Sequence, residues 1–416
     1  MLTSLLASLG LAASQAPMPL APMPPAAPVI PMGQAAPVAA PAIAGCTTCA
    51  TAPETKYFAE KILAGSRLGQ ILESNGIRVY GWTEFSYNGA STNTSSLPGG
   101  GFADRSNEFL LNQNWLRFEK TIDRSKSEFQ WGFRSDYILP GSDARFTIAR
   151  DLFDKQVRDG RVTPMDNVVS YGEVFLPNLL GGTSVKVGRM PSLIGYERID
   201  TISTPFLTRS YNFINNPFTH TGILASSPVG ENITANYGIV LGSNNFVGPT
   251  NRATFLGGLQ WAPKDGNTTL AFNTVITNPT YQASEGFDHF NVYNVILTHK
   301  LSCKLTYAAD MTYSLTENVP LGNGTGNAEW YGFAQYLNYA HCDQLASNVR
   351  VELFNDTDGY RTGTQGLYTS VSYGMMWKPN EAVWIRPEAR YDYNSNRPFE
   401  GDRDLVIGAL SVILRW

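Results

Sequence analysis

The stretch of residues 128–137 reads Glu-Phe-Gln-Trp-Gly-Phe-Arg-Ser-Asp-Tyr and has a period of two. Phe129, Trp131 and Phe133 are large and apolar, whereas Arg134 and Asp136 among the intervening residues are charged. Successive side chains of a β-strand point to opposite faces. The stretch therefore predicts a strand with one apolar face and one charged face.

The same period recurs from residue 76 to the C-terminus. We count about sixteen such segments, within a range of 14–18, most of them about 8–14 residues long. In this parse short connections alternate with longer ones, such as 191–218 and 316–327. Tight turns on one side and longer loops on the other are typical of outer-membrane barrels. The sequence predicts an all-β fold, a transmembrane antiparallel barrel over residues 76–416.

A soluble β-sandwich is the alternative, because its strands alternate as well. Segments of about 12 residues fit a tilted membrane crossing better than the usual globular strand of about 5–6 residues. The last strand, residues 405–416, ends in Trp416. A terminal aromatic on such a strand resembles the C-terminal signal of bacterial outer-membrane barrels and suits their interfacial aromatic girdle.

The composition of the 416-residue chain excludes several classes of protein. Charged residues make up 16% and aromatic residues 12%, which disfavours intrinsic disorder. A net charge of −4 gives no indication of the basic surface that nucleic-acid binding requires. Only the extreme N-terminus approaches the roughly 20 apolar residues that a helical span needs.

The N-terminal region divides into three parts. Residues 1–16 are apolar and end in small residues, which predicts a signal peptide, with an anchor helix as the alternative since no Lys or Arg precedes Glu54. Residues 17–53 are a Pro/Ala-rich linker, in which Cys46 and Cys49 favour a small disulfide loop over a redox motif or a metal site, with lipidation of Cys46 as a separate alternative. Residues 54–75 predict a short amphipathic helix that packs against the edge of the barrel domain, with a functional plug as the alternative.

Charged residues on the polar faces are the candidates for lining a pore. A sixteen-stranded barrel leaves an aqueous channel, and opposed rows of arginine and carboxylate would set a transverse field with a weak ion preference. The alternative is a structural network that closes the bore. The candidates are Arg78, Glu84, Arg117, Glu119, Glu128, Arg134, Asp136, Asp310, Arg350, Glu352, Arg386, Glu388, Arg390 and Asp392.

The connection 191–218 is the longest outer loop and the third in order. It carries Glu197, Arg198, Asp200 and Arg209. The third loop of classical porins folds inward, and by this analogy we expect the connection to constrict the bore.

Two further expectations concern local geometry. Cys303 begins one predicted strand and Cys342 follows the next, so antiparallel pairing predicts a disulfide at the periplasmic rim, with two separate thiols as the alternative. Pro387 cannot donate a ladder hydrogen bond and a closed barrel has no edge, so we expect a β-bulge there.

Several short motifs carry a family resemblance. They include Gly188-Arg189-Met190, Gly195-Tyr196-Glu197, Asp358-Gly359-Tyr360-Arg361 and the run Arg386-Pro387-Glu388-Ala389-Arg390. Because of these motifs, residues 76–416 resemble the β-barrel porin-2 family of OmpL-like porins. The resemblance implies a channel-forming protein of the bacterial outer membrane.

The function expected from these observations is a porin, a water-filled channel for passive diffusion of small hydrophilic solutes or ions. A structural or adhesive barrel with a closed bore and an outer-membrane hydrolase are the alternatives. The sequence predicts no enzyme, no cofactor and no metal site, because the four histidines show no ligand spacing. The expected partners are outer-membrane lipid and small solutes; no feature requires the association of three barrels into a homotrimer.

Overall fold

The computed structural model describes residues 57–92, 101–248, 252–277, 290–321 and 324–416. Within them sixteen antiparallel strands close into one barrel, each paired with its sequence neighbours and β1 paired with β16. The prediction of a sixteen-stranded transmembrane barrel is confirmed. The strands are β1 (Arg78–Ala90), β2 (Glu108–Lys120), β3 (Gln130–Ile138), β4 (Asp166–Leu176), β5 (Thr183–Pro191), β6 (Thr219–Gly230), β7 (Ile233–Val240), β8 (Thr254–Trp261), β9 (Thr268–Ile276), β10 (Asn291–Lys300), β11 (Leu305–Leu321), β12 (Gly324–Cys342), β13 (Leu345–Asp356), β14 (Gly366–Trp377), β15 (Val383–Tyr393) and β16 (Asp404–Arg415).

The strands present their apolar side chains outward, as β16 illustrates. Val406, Leu410 and Leu414 are between 42% and 50% exposed, although all three are aliphatic. The intervening Leu405 and Ile407 are fully buried inside the barrel. An exposed apolar band on alternate residues is the surface that a lipid-facing barrel requires. Among the described residues, no helix has the length and apolarity to span a membrane.

The barrel closes where the first strand meets the chain terminus. The backbone N–H of Gly81 donates to the Trp416 carbonyl at 2.8 Å, and the Trp416 N–H donates back to the Gly81 carbonyl at 2.9 Å. The Trp416 indole also donates to the Thr83 hydroxyl at 3.0 Å. The C-terminal aromatic thus completes the closing seam.

The predicted helix over 54–75 is two helices in the described part of the chain, α1 (Phe58–Leu63) and α2 (Arg67–Ser74). Gly65 separates them with a φ of +86°, and the Ser66 hydroxyl caps α2 by accepting from the Gly69 N–H. A left-handed residue cannot continue an α-helix, so the single helix is corrected to two. The predicted signal peptide and the predicted linker, with Cys46 and Cys49, lie outside the described residues.

The predicted long connection over 316–327 is mostly strand. β11 and β12 continue their pairing to Leu321 and Gly324 after a register shift between Thr316 and Val319. The alternation of short and long connections therefore fails between β11 and β12. Backbone pairing extended the hairpin beyond the barrel wall, which the polar composition of the stretch did not indicate.

The bulge expected at Pro387 is absent. The β15–β16 register runs unbroken through the pair Pro387↔Leu410. Between β14 and β15, the pairs Gly374↔Glu388 and Trp377↔Ile385 lie on either side of Pro387 and have the same register, so no residue is inserted between them. The pairs between those two points are missing from the β14–β15 ladder. The barrel therefore accommodates Pro387 without a β-bulge, because β15 loses its pairing with β14 at this point.

The predicted Cys303–Cys342 disulfide is wrong, because Cys342 is a free, exposed thiol. The β11–β12 register pairs Leu305 with Tyr339, so its continuation places position 341 opposite Cys303. A shift of one residue moves a side chain to the other face of a sheet.

In the described part of the chain, three more helices and one 3₁₀ turn lie in two of the long connections. They are α3 (Ala144–Thr147) and α4 (Lys155–Arg158) between β3 and β4, and the 3₁₀ turn Thr201–Ser203 and α5 (Tyr211–Ile214) between β5 and β6.

Candidate functional site: the barrel lumen

Residues 192–218, here called the lumen segment, connect β5 to β6 and fold into the interior of the barrel. The base of this connection is closed by a hydrogen bond from the Ser192 N–H to the Phe218 carbonyl at 3.0 Å. From there the segment contacts strands on the opposite wall, including β10, β13 and β15. The third outer connection thus occupies space inside the lumen.

Carboxylates of the wall hold the backbone of the segment. The Glu388 carboxylate accepts from the N–H groups of Leu207 at 2.8 Å and Thr208 at 3.1 Å. The Glu352 carboxylate accepts from the N–H groups of Tyr211 and Asn212, both at 2.8 Å. These bonds satisfy donors that a loop would otherwise leave unpaired inside a protein.

Arginines of the wall hold the carbonyl groups in the same way. Arg386 donates to the carbonyl oxygens of Thr201 at 3.2 Å and Thr204 at 2.8 Å, and it also pairs with Glu84. Arg390 donates to the Arg209 carbonyl at 2.6 Å and pairs with Asp392 at 2.9 Å. Guanidinium groups suit this task because they carry several N–H donors in a fixed planar fork.

Side chains of the segment complete the contacts. Glu197 pairs with Arg350 at 2.7 Å and accepts from the Ser210 N–H at 2.8 Å. Arg209 donates to the carbonyls of Phe206 at 2.6 Å and Leu207 at 2.9 Å, which stabilises the turn of the segment itself. Removing one member of such a buried set leaves its partners without hydrogen bonds.

A second cluster lies nearer the first strands. Asp136 pairs with Arg117 at 2.8 Å and with Arg134 at 2.6 Å, while Arg117 also lies 3.6 Å from Asp200 of the segment. Burial alone would raise the pKa of the Asp200 carboxyl, but the guanidinium groups of Arg117 and Arg134 outweigh it and lower that pKa below its ordinary value. Asp200 is therefore ionised in the neutral pH range.

The remaining predicted lumen residues occupy three different positions. Glu119 is buried and accepts from the Tyr80 hydroxyl at 2.6 Å, and Asp310 is buried and accepts from the Tyr196 N–H at 3.0 Å. Arg78 lies at the rim and pairs with Glu60 of α1 at 2.9 Å. Glu128 is exposed in the turn before β3, because that strand begins at Gln130, so its placement on the lumen face is corrected.

Sequence reasoning missed the uncharged groups of the interior. Gln113 donates to the Ile199 carbonyl at 2.8 Å and accepts from the Thr201 N–H at 3.2 Å, and Asn294 accepts from the Gly195 N–H at 3.1 Å. Gln113 continues the inward alternation of Trp115, Arg117 and Glu119 on β2, which is a signal that would have found it. Asn294 lies between the apolar residues Val292 and Ile296 on the inward face of β10, so no polar alternation marks it.

Apolar contacts also occupy the interior. Phe102 is fully buried and packs against Phe213 with ring centroids 5.6 Å apart and against Phe146 at 5.4 Å. Ile202 and Leu207 of the segment belong to the same cluster. The interior therefore contains a packed core around the segment in addition to its charged network.

One histidine joins the base of the segment to the wall. His220 is fully buried, its Nε2 lies 3.0 Å from the Ser192 hydroxyl, and its Nδ1 lies 2.9 Å from the Gly242 carbonyl. The carbonyl requires a proton on Nδ1, which leaves Nε2 to accept from Ser192. The contact anchors the segment where it leaves the wall.

A cavity remains between the segment and strands β2 to β4. Its volume is about 30 Å³, and Trp115, Arg134, Val168, Ile194 and Arg198 are among the residues that line it. Glu197 and Asp200 line it together with the two arginines, so the cavity combines apolar walls with charges of both signs. In the described residues no group of histidine, cysteine and acidic side chains could hold a metal ion.

Comparison with known proteins identifies the relatives of this barrel. The model of the β-barrel porin-2, OmpL-like family matches residues 76–414. The chain belongs to that family. The match covers the whole barrel and excludes α1 and α2, so the family defines the channel body and not the N-terminal region. None of the curated proteins matches the chain.

Solved porin structures share the fold of this OmpL-like porin. OprB of Pseudomonas putida is similar with a TM-score of 0.57 at 10% identity, over 88% of this chain and 100% of that one. The outer-membrane channel DcaP of Acinetobacter baumannii gives 0.54 at 9% identity, over 82% and 97%. An anion-selective porin from Comamonas acidovorans gives 0.51 at 8% identity, over 82% and 99%. At these identities the likeness concerns the fold alone.

Proposed function

We propose that this protein is a porin of the bacterial outer membrane that allows passive diffusion of small hydrophilic solutes or ions through a narrow, water-filled passage. The observation that carries the proposal is a closed sixteen-stranded barrel with an apolar exterior and a charged interior. Membership of a porin family supports it. The chemistry is that of a channel and not of an enzyme.

The lumen segment is the constriction of this channel. Glu197, Arg198, Asp200 and Arg209 lie on it, and the wall residues Arg350, Glu352, Arg386, Glu388 and Arg390 hold it across the bore. The wall charges therefore act first on the segment and only second on permeating ions. The conductance of such a channel is set by the space that the segment leaves.

Deletion of residues 198–212 tests this proposal. We expect the deleted protein to show a several-fold larger single-channel conductance in planar bilayers than the full-length protein, because the bore of a sixteen-stranded barrel exceeds what its own side chains fill. An unchanged conductance with a correctly folded barrel would remove the segment as the constriction.

A barrel with a closed bore is the second candidate. The burial of the lumen charges, with Arg350, Arg386 and Arg390 at most 1% exposed, favours it. Full-length protein that releases no solute from proteoliposomes, while the deletion variant does, would establish this candidate instead.

We also propose contact with outer-membrane lipid and association into a homotrimer. The apolar outer band supports lipid contact, and a similar structure, the Vibrio cholerae outer-membrane protein OmpT, is described as a trimer form. Sedimentation of the detergent-solubilised protein tests the association: three barrels per particle support it, and one barrel per particle contradicts it.

A further inference from the structure

Four neighbouring strands carry polar side chains on the outside of the barrel. Thr83 on β1 and Asn114 on β2 point outward, and the Thr83 hydroxyl donates to the Asn114 side-chain oxygen at 3.1 Å. Ser135 on β3 and Ser170 on β4 also point outward, and their hydroxyl oxygens lie 3.3 Å apart. The outward surface of β1–β4 around these four residues is here called the polar face.

The polar face lies at the middle height of the barrel wall. β1 and β3 begin at the end of the barrel that carries α1, and Thr83 and Ser135 each lie five residues after that start. β2 and β4 finish at the same end, and Asn114 and Ser170 each lie six residues before it. A tilted strand rises about 2.5 Å per residue along the barrel axis. All four residues therefore lie about 12–15 Å from this end, near the middle of an apolar band about 25 Å tall.

On six other strands the outward residue at this height is apolar and exposed. These residues are Ile239, Phe255, Val295, Met311, Val351 and Val371. Thr274 on β9 is polar, but its hydroxyl donates to the Val292 carbonyl at 2.8 Å and is satisfied within its own barrel. The polar face thus interrupts the apolar band on one side of the molecule.

The hydrogen bonds within the polar face leave donors unused. Asn114 accepts from Thr83, but in the described part of the chain its Nδ2 has no acceptor. One serine hydroxyl donates to the other, and the proton of the accepting hydroxyl has no acceptor among the described residues. Acyl chains offer no acceptor in the middle of a bilayer, so exposure of these groups to lipid costs free energy. A protein surface would satisfy them, since hydroxyl and amide side chains hydrogen-bond between membrane-spanning segments.

The shape and size of the polar face also suit a protein partner. Gly172 on β4 is exposed two residues from Ser170, and a Cβ atom at Gly172 would have no atom within 4 Å. Small residues allow membrane-spanning segments to approach closely. Four tilted strands are about 25 Å wide and the band is about 25 Å tall, so two such faces bury about 1,200 Å² together. That area is the lower limit for a specific interface.

We infer that the polar face is the surface through which a second copy of this chain binds. The Asn114 amide of one barrel is a donor, and the serine hydroxyls of the next barrel are acceptors. Contacts between unlike parts of a surface can close into a ring, which removes the polar face of every copy from lipid at once. The inference rests on the proposed homotrimer and is independent of the proposed channel.

Sedimentation of the detergent-solubilised full-length protein tests the inference by counting the barrels in each particle. Gly172→Trp adds a bulky side chain that detergent accommodates and a close interface does not. We expect it to reduce the particle from three barrels to one. Val295→Trp is the matched control, because Val295 is outward at the same height on β10, on the opposite side of the barrel. It should keep three barrels per particle.

Asn114→Leu is a second variant, which replaces the unused donor by a side chain that lipid solvates well. We expect association at least about tenfold weaker than in the wild type, because the hydrogen bonds of Asn114 to the neighbouring barrel are lost. Gln335→Leu is its control, since Gln335 points outward on β12, away from the polar face, and accepts from the Tyr307 hydroxyl at 3.0 Å. It should associate as the wild type does.

The outcomes separate the polar face from the homotrimer. Wild-type association in both Gly172→Trp and Asn114→Leu overturns the face and leaves the trimer, and one barrel per wild-type particle overturns both. Two barrels per wild-type particle, separated by Gly172→Trp, support the face and contradict the trimer. Dissociation of Val295→Trp and Gln335→Leu as well overturns the assignment to β1–β4. Heat-dependent electrophoretic mobility checks that each barrel is folded, and Asn114→Leu decides the question if Gly172→Trp does not fold.

Discussion

Individual carboxylates of the barrel wall bind the backbone of the lumen segment. Glu352 and Glu388 each accept from two consecutive backbone N–H groups of the segment. An ionised carboxylate is suited to this because it accepts at both oxygens and donates nothing. The charge of these residues is therefore needed for the fold of the interior and not only for contact with permeating ions.

Glu388→Gln tests this role. Its amide offers an N–H₂ where the segment needs an acceptor, so we expect a loss of about 1–3 kcal/mol in unfolding free energy and a larger, noisier single-channel conductance. Urea unfolding and bilayer recording measure the two effects. Glu231→Gln is the control, because Glu231 lies in an exposed pair with Lys264; identical behaviour of the two variants would contradict the role.

Asp143 should make stability depend on pH. It lies in the β3–β4 connection and accepts from Gln113 at 2.9 Å and Asn112 at 3.2 Å. Burial raises the pKa of the Asp143 carboxyl above its ordinary value, and the Glu84 carboxylate adds to the rise. Because the folded state then binds the proton more tightly than the unfolded state, the free energy of unfolding should fall as pH rises through the folded pKa.

The measurement is urea unfolding at several values between about pH 5 and pH 8. Asp143→Asn should flatten the fall, whereas Asp159→Asn, at an exposed position of the same connection, should preserve it. A wild-type stability that rises over this range would refute the assignment to Asp143.

At the scale of elements, the segment and the wall approach each other most closely at glycine. A Cβ atom at Gly332 of β12 would lie 1.9 Å from the Asn212 side-chain oxygen. Asn212 in turn donates to the Asp310 carbonyl at 3.0 Å. The absence of a side chain at Gly332 is what lets α5 lie against this strand.

Gly332→Ala should therefore displace the start of α5. We expect a loss of about 1–3 kcal/mol in unfolding free energy from overpacking, together with an altered conductance. Gly408→Ala is the control, since nothing lies within 4 Å of a Cβ at that outward position of β16. If both variants unfold at the same urea concentration, the close approach of Asn212 to Gly332 does not contribute to stability.

At the scale of the whole molecule, the apolar outer band determines the solvent that the barrel needs. The apolar residues Phe85 on β1, Ile239 on β7 and Leu353 on β13 are 45% to 56% exposed, and their strands lie at different positions around the barrel. This distribution around the barrel excludes a single partner patch as its explanation. Lipid is the only environment that covers all sides at once.

The purified chain should therefore fold only in detergent or lipid. We expect strand-rich circular dichroism and a heat-dependent shift in electrophoretic mobility in detergent, and precipitation after its removal. A refolded chain that stays soluble and monomeric in plain buffer would contradict the membrane barrel.

The sequence alone was sufficient to predict the barrel. Strand number, strand direction and the face of nearly every lumen charge follow from a period of two, because that period is a local property of the backbone. Glu128 was misplaced since it lies at a strand end, where the alternation loses its constraint. The Cys303–Cys342 pairing failed because it depended on a register that differs by one residue.

Only the tertiary structure decided what the lumen charges contact. Arg350 and Glu197 are 153 residues apart, and Glu388 and Thr208 are 180 apart, so no local pattern links them. The path of the segment across the bore results from many such long-range bonds and from the packing of Phe102 and Phe213. Local periodicity determines which way each side chain points, but its partner depends on how the chain fills the enclosed space.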